Sequence, residues 1–414
     1  MNFQSLAIHK QLLKALEKIS LVEATDVQKK IIPLIQEGKD IMVSAQTGSG
    51  KTATFLLPTL HFMLENDAPR SSTRSLILLP TRELAIQTQA FLKQLASFTY
   101  IKSGLIIGGE AFKHQVATLR KNPEIIIATP GRLVEHIEKG TTDFSDLEIL
   151  ILDEADRMLD MGFADEMQII SKSCNQNKQN LLFSATLNHK GFKQIKTMFK
   201  DPELIEINSA RQCPPQISQQ IVLCDNKKHK EELIVALINE EKAKKIFIFC
   251  KTRIQCEQLS NFLRYKKYRS AFIHGEISQN DRKAVIAKFH SGSIEILVAT
   301  DLAARGLDIN DVEIVLNFNI ASSGDEYIHR AGRTGRAGKK GTAISLIEAN
   351  DWNQMSSIER YLKIRFQKRV LKGLKADYCG PKKIKNSGKA AGTKKNKATK
   401  KKTYKKRSNH LIYI

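Results

Sequence analysis

The chain alternates short apolar runs with longer segments whose apolar residues recur at helical spacing. Ile41–Ser44, Ser75–Pro80, Ser103–Gly109, Glu124–Pro130, Leu147–Glu154 and Asn180–Thr186 are apolar runs of strand length closed by Gly, Pro, Ser or Asp, the pattern of strands buried on both faces. Between them lie helix-length stretches such as Glu83–Ser97. That alternation predicts an α/β fold built on a mostly parallel sheet flanked by helices. It pauses at 208–214, where Pro214-Pro215 can continue neither element, so a short interdomain linker is expected. It resumes with Lys245–Cys250, Ser270–Gly275, Glu295–Asp301, Glu313–Asn319 and Thr342–Glu348. The prediction is two α/β domains of similar size, 1–207 and 215–368. Open parallel sheets bind ligands beyond the carboxyl ends of their strands, so the chemistry is expected in the loops after these runs.

A length of 414 residues fits two domains, and 42% apolar with 26% charged residues is an ordinary globular balance. The formal charge of +23 is not ordinary. It favours a polyanionic partner, nucleic acid or an anionic membrane surface, bound more weakly as salt rises. No apolar run approaches the ~20 residues of a membrane span, and the amino terminus has no apolar stretch of signal type. A cytoplasmic protein without membrane insertion is therefore expected. The six cysteines form neither a CxxC pair nor a His/Cys cluster, which points to reduced structural thiols rather than zinc or disulfides. Thirteen Lys and one Arg against one Asp fall within Lys375–Ile414. With so little to bury, 369–414 is expected to be a lysine-rich disordered tail, either a solubilising appendage or a tether for nucleic acid.

The stretch Ala45-Gln46-Thr47-Gly48-Ser49-Gly50-Lys51-Thr52 follows a predicted strand and opens a predicted helix. Gly50-Lys51-Thr52 fits the phosphate-binding loop, although Ala45 stands where the general pattern has Gly. In that setting Gly48 and Gly50 let backbone N–H groups wrap phosphate oxygens, Lys51 reaches the β and γ phosphates, and Thr52 offers its hydroxyl to Mg²⁺. Asp153-Glu154-Ala155-Asp156 follows another strand. Asp153 is placed to hold Mg²⁺ and Glu154 to orient or deprotonate the attacking water; the alternative is an acidic helix start favoured by the macrodipole.

Eight motifs then coincide: AQTGSGKT, PTRELA (Pro80–Ala85), Gly108-Gly109, TPGR (Thr129–Arg132), DEAD (Asp153–Asp156), SAT (Ser184–Thr186), ATDLAARGLDI (Ala299–Ile309) and HRAGRTGRAG (His329–Gly338). In order and spacing, Met1–Lys368 resembles the DEAD-box RNA helicases. The resemblance implies two RecA-like domains that bind ATP, Mg²⁺ and RNA across their cleft. It implies that Gln28 and Thr25 read adenine and that Phe3 stacks on it, although Ser20-Leu21 stands for the usual Gly-Phe, and Ala24 and Asp26 for two prolines. Arg333 and Arg336 resemble the fingers that neutralise the transferred phosphoryl group, and Asp301 the residue that touches ribose. Asp156, Ser184, Thr186 and His329 resemble the relay that couples hydrolysis to strand separation. Arg82, Gly109, Thr129 and Arg132 in the first domain, with Arg253, Gln279, Arg282 and Thr300 in the second, match positions that hold the RNA backbone. Such contacts carry no base identity, so target choice is expected from the tail and from Trp352–Leu374.

Within the family, Gly324–Ala349 and the basic extension are similar to the bacterial type that assists large-subunit ribosome assembly. This implies ribosomal RNA as target, ribosomal proteins or assembly particles as partners, and a monomer. A relative acting in RNA decay or cold adaptation would look much the same. An ATP-gated RNA clamp and a DNA-directed translocase are the other readings, separable by whether RNA or DNA stimulates ATP turnover.

Overall fold

The computed structural model describes residues 3–45, 50–66, 73–187, 191–207, 216–304, 307, 309, 312–335, 339–385 and 387–390. Gln46, Thr47, Gly48, Ser49, Arg336, the 208–214 linker and the end of the tail, 391–414, lie outside the described residues.

The first lobe carries strands β1 (Ile41–Ser44), β2 (Ser75–Leu78), β3 (Ser103–Ile106), β4 (Ile125–Ala128), β5 (Ile149–Leu152), β6 (Gln179–Ser184) and β7 (Glu203–Glu206). They form one parallel sheet in the order β3-β4-β2-β5-β6-β1-β7. The second lobe carries β8 (Ile217–Leu223), β9 (Ile246–Cys250), β10 (Ser270–Ile273), β11 (Ile296–Thr300), β12 (Ile314–Asn317), β13 (Gly341–Ile347) and β14 (Gln367–Lys368). Their parallel order, β10-β11-β9-β12-β13-β8-β14, repeats the first sheet position for position.

Each apolar run read as a strand is one, because its side chains serve two faces at once. Ile149 and Ile151 of β5 join one core layer while Leu150 and Leu152 join the other. Fully burying each contributes about 1.5–3 kcal/mol. Three strands escaped the pattern. β7 and β14 are edge strands with mostly exposed residues, and β8 is interrupted by half-buried Gln219 and Gln220, so none shows a continuous apolar run.

Helices start at the carboxyl ends of these strands with side-chain caps. Thr81, Thr252, Ser278 and Ser323 each accept a backbone N–H three residues on, which satisfies one otherwise orphaned donor. The caps fix the exits from β2, β9, β10 and β12, the first and last of which carry PTRELA and HRAGRTGRAG.

The expectation of disorder from 369 onward is corrected for 369–390. Leu371 and Ala376 are buried, the Asp225 carboxylate accepts the Asp377 and Tyr378 N–H groups at 3.1 and 2.8 Å, and Arg369 pairs with Glu240 and Glu241. The Gly388 carbonyl accepts from the Trp352 indole at 3.1 Å and the Ser356 hydroxyl at 2.8 Å. Composition alone hid this strap, since what holds it is a buried indole N–H that needs an acceptor and a few well-spaced apolar residues.

Candidate active site and RNA-facing edge

Strand order sorts the candidate residues. Lys51, Asp153, Glu154, Ser184 and Thr186 follow β1, β5 and β6, one half of the first sheet. Arg82, Gly109 and Thr129 follow β2, β3 and β4, the other half. In the second lobe Arg253, Gln279, Arg282 and Thr300 sit at the ends of β9, β10 and β11, whereas His329, Arg330 and Arg333 lie between β12 and β13. The two groups of candidate residues thus recur at matching sheet positions.

Gly50 caps the helix Lys51–Glu65 at φ +87°, a left-handed conformation that favours glycine. A Cβ there would lie 2.7 Å from Gln28 Nε2, so the loop end has no room for a side chain. Gln28 is buried; its Nε2 donates to the Gly50 carbonyl at 3.2 Å and its Oε1 accepts the Thr25 N–H at 2.8 Å. It therefore ties the capping box of Asp26–Gln36 to the phosphate loop. Phe3, expected on a base face, is packed in the first core, so little of its ring is open to a base. Lys51 is buried, with Nζ donating to the Ala45 carbonyl at 2.9 Å, and Thr52 is half-buried.

Asp153 and Glu154 are both buried. Burial pushes the Asp153 carboxyl up to about 6, with the neighbouring Glu154 charge adding and Lys51 and Arg157 opposing. Glu154 sits in left-handed backbone at φ +53°, a conformation that costs a non-glycine residue energy and turns its side chain sharply off the strand. Its carboxylate accepts from Arg157 Nη1 at 2.7 Å, and both side chains are buried. Arg157 was passed over in the sequence; its one signal is the position directly after DEAD. Thr52 and Asp153 offer a hydroxyl and a carboxylate, hard oxygen donors of the kind Mg²⁺ takes alongside substrate phosphates. Ser184 Oγ donates to the Thr186 carbonyl at 2.6 Å, Asp156 is buried next to Ala155, and His329 faces the cleft from the other lobe.

Across that cleft, a cavity of about 20 Å³ is lined by Arg157 from the first lobe and by Asp301, Glu326, His329, Arg330 and Arg333 from the second. Arg330 is fully engaged: it reaches both Asp301 oxygens at 2.6 and 2.7 Å, Glu326 at 2.6 Å and Asn317 at 3.0 Å. Asp301, expected on ribose, thus has each oxygen bound to Arg330. Burial pushes its carboxyl up to about 6. Burial acts on Glu326 in the same sense, but hydrogen bonds to Asp301 and Ser322 and the Arg330 charge outweigh it and hold Glu326 at about 2. Arg333 is buried and donates to the Leu307 and Ala304 carbonyls at 2.7 and 3.2 Å.

Beyond β2 and β3, the Arg82 guanidinium lies against Gly108-Gly109, and a Cβ on Gly109 would overlap it. Arg132 donates to the Glu110 carbonyl at 3.0 Å and pairs with Glu135 at 3.2 Å. Thr129 is buried at the start of Pro130–Glu138, Thr300 is half-buried at the end of β11, and Arg253 pairs with Glu276. Gln279 and Arg282, expected on RNA, reach across the cleft. Gln279 Nε2 donates to Glu83 Oε1 at 3.1 Å, and Arg282 approaches the same oxygen at 3.5 Å while donating to the Ala303 carbonyl at 2.6 Å. Glu83, inside PTRELA, is a lobe-bridging residue that motif matching did not single out.

Comparison with known proteins agrees with this geometry. The DEAD/DEAH box helicase family matches residues 25–195, and the helicase conserved C-terminal domain matches 229–338. The ATP-dependent RNA helicase SrmB of Haemophilus influenzae is 40% identical over 385 residues, covering 92% of this chain and 87% of that protein. S. cerevisiae Dbp5 bound to RNA and ADP BeF3 superposes with a TM-score of 0.80 at 28% identity, over 89% of this chain and 95% of that one. A DEAD box protein from Methanococcus jannaschii, at 37% identity and covering 89% and 99%, superposes with a TM-score of 0.52. Among the described residues no helix is long and apolar enough to cross a membrane. With both domain families matched in order and a relative aligned over nearly its whole length, the chain belongs to the DEAD-box family of ATP-dependent RNA helicases.

Proposed function

We propose that this helicase works as a two-state RNA clamp closed by ATP. The observation that carries the reading is the meeting of the lobes at two places, Glu83 with Gln279 and Arg282 on the RNA half and Arg157 beside Arg330 and Arg333 on the nucleotide half. Ala45, Gly50 and Lys51, with Gln46–Ser49, cradle the triphosphate. Thr52 and Asp153 hold Mg²⁺, which when bound offsets charge on the phosphate oxygens. Glu154, aimed by Arg157, orients the attacking water and receives its proton. Arg333, with Arg336, stabilises the charge of the departing phosphoryl group, a task it meets only when the lobes are together. Gln28 and Thr25 link base recognition to Gly50. Asp301 completes the closed site by fixing Arg330, and Asp156, Ser184, Thr186 and His329 pass the state of the nucleotide to the RNA half.

Arg82, Gly109, Thr129, Arg132, Arg253 and Thr300 grip the sugar-phosphate backbone, while Gln279 and Arg282 join the lobes over it. The domains divide at 208–214, the hinge of the clamp. The likeness of Gly324–Ala349 and the basic extension to ribosome-assembly helicases extends the reading to ribosomal RNA during large-subunit assembly in the cytoplasm, by a monomer that meets ribosomal proteins on the particle.

Phosphate release measured with single-stranded RNA and, separately, with DNA tests the substrate; stimulation by DNA alone would remove RNA from the mechanism. Glu154→Gln is expected to keep ATP and RNA binding while turnover collapses by a factor on the order of 100 or more, the loss typical of removing a positioned general base. Near-normal turnover would take Glu154 out of its role.

A further inference from the structure

Beneath the first-lobe RNA edge, two polar side chains are buried that neither the nucleotide nor the RNA roles use. Gln115 is 1% exposed on the helix Phe112–Leu119, and His136 is 0% exposed on Pro130–Glu138. Gln115 Nε2 donates at 2.6 Å to the carbonyl of Ile107, the residue before Gly108-Gly109. Its Oε1 lies 3.1 Å from His136 Nε2 and 3.5 Å from Arg132 Nη1. His136 Nδ1 is 2.8 Å from the Thr141 hydroxyl, and its ring stacks on Phe112 with centroids 4.0 Å apart at 7°.

The Gln115 bond fixes one role of the ring. Gln115 Nε2 donates to Ile107 and its oxygen can only accept, so His136 donates from Nε2, while the Thr141 hydroxyl beside Nδ1 donates to the His136 carbonyl at 3.0 Å. Burial, then the Arg132 charge, lowers the His136 pKa, with Lys139 acting in the same sense and Glu135 against it. An apolar pair of similar volume would pack this space at no desolvation cost. What the polar pair adds is direction: it runs from the carbonyl that starts the glycine doublet to the guanidinium of Arg132, and so joins the loop after β3 to the helix after β4.

We propose that Gln115 and His136 are a positioning pair that holds the glycine doublet and Arg132 in register for the RNA backbone without touching RNA. The inference rests on the reading that Gly109 and Arg132 hold RNA. The test uses the full chain and polyuridylate, and measures the RNA concentration at half-maximal ATPase, nucleotide affinity without RNA, and Tm. Gln115→Leu and His136→Asn break the link through Gln115 and are expected to raise the half-saturating RNA concentration about tenfold, the factor given by ~1.4 kcal/mol, with RNA-free nucleotide affinity within about twofold. His136→Gln can still donate to Gln115 and is expected to stay within about threefold of the parent. Equal shifts for His136→Asn and His136→Gln, or an unchanged RNA requirement in Gln115→Leu, would overturn the positioning pair. If Gln115→Leu fails to fold, the His136→Asn and His136→Gln comparison decides alone. Arg132→Ala separates the two layers: an unchanged RNA requirement there overturns the RNA edge itself and the pair with it, whereas a raised one with Gln115→Leu unchanged overturns only the pair.

Discussion

Glu83 gives the sharpest test of the clamp, because its partners lie in the other lobe and its bonds exist only when the lobes are together. Gln279 donates to it at 3.1 Å, Arg282 stands at 3.5 Å, and the Glu83 and Arg282 side chains are each 15% exposed. At an effective dielectric of about 20, a charge pair at that distance attracts by ~4–5 kcal/mol before desolvation. A hydrogen bond to a charged acceptor nets about 1.5–3 kcal/mol. Arg282 keeps the Ala303 carbonyl, which limits the loss. Without Glu83, however, its half-buried guanidinium faces the Arg82 charge alone, a repulsion that Glu83 now opposes. We therefore expect Glu83→Ala to cost the closed state about 2–3 kcal/mol, or ~30- to 150-fold in RNA affinity when a nucleotide analogue is present. Glu83→Gln can still accept from Gln279 and should cost about 1 kcal/mol, roughly fivefold. Anisotropy of a labelled single-stranded RNA, titrated with ADP-beryllium fluoride, reads this directly, and ADP affinity without RNA should not move. If Glu83→Ala binds RNA within about twofold of the parent under those conditions, the lobe contact does not support closure and the argument fails.

Three further outcomes are expected. Arg157→Met strands the buried Glu154 carboxylate, a change of order 3–5 kcal/mol when one partner of a buried pair is removed, so ATP turnover should fall more than about tenfold, and turnover within about twofold of the parent would refute the pairing. Asp153 has a carboxyl raised to about 6 by burial, so its proton favours the folded state, a contribution complete below the ordinary carboxylate range and lost as pH rises through 6. Mg²⁺ must displace that proton, and the Mg²⁺ concentration for half-maximal ATPase should rise by up to about tenfold per unit as pH falls below 6, whereas a constant requirement from pH 7.5 to 5.5 would count against Asp153 as ligand. Truncation after Ala390 should weaken RNA binding and flatten its salt dependence with Tm kept, while truncation after Lys368 also uncovers Trp352 and removes buried Leu371, lowering Tm by several degrees at ~2–4 °C per kcal/mol; equal Tm values for the two would show that the strap adds nothing.

The strands were legible where burial on both faces left an unbroken apolar run, as in Ile149–Leu152 and Ile246–Cys250. Edge strands such as Glu203–Glu206 were not, since one buried position in four makes no period. The site was legible at motif level because spacing brings Lys51, Asp153 and Glu154 to neighbouring strand ends. What motif matching could not give was where each side chain spends its hydrogen bonds. Gln28 links two loops, Asp301 is bound by Arg330, and Gln279 meets Glu83 rather than lying free for RNA. Those pairings cross from 22 to 196 residues of sequence, and only the folded register sets them. The strap 369–390 was misjudged for a related reason: its lysines dominate the composition, while its attachment depends on one indole, one carboxylate and two small apolar contacts.

The matching strand orders explain why one motion can serve two ligands. Each sheet places the loops proposed for the nucleotide beyond the β5-β6-β1 or β12-β13-β8 half and those proposed for RNA beyond the β3-β4-β2 or β10-β11-β9 half. Facing the two carboxyl edges therefore apposes like with like, and a single rigid closure forms Glu83–Gln279 at one end and brings Arg157 to Arg333 at the other. The second lobe has no phosphate loop at the position of β1. After β8 the chain turns through Asp225 to an Asn226 cap whose side chain accepts the His229 N–H, so that loop end is spent on its own helix and on the strap at Tyr378. In the proposed clamp, one cradle against one set of arginines makes the nucleotide a bridge rather than a ligand of either lobe, and any ligand that bridges in one half favours the apposition that the other half requires. Coupling between ATP and RNA then runs through the rigid sheets as well as through Asp156, Ser184, Thr186 and His329, which is why weakening Glu83 alone should lower the population of the closed state and with it the apparent affinity for each ligand when the other is present.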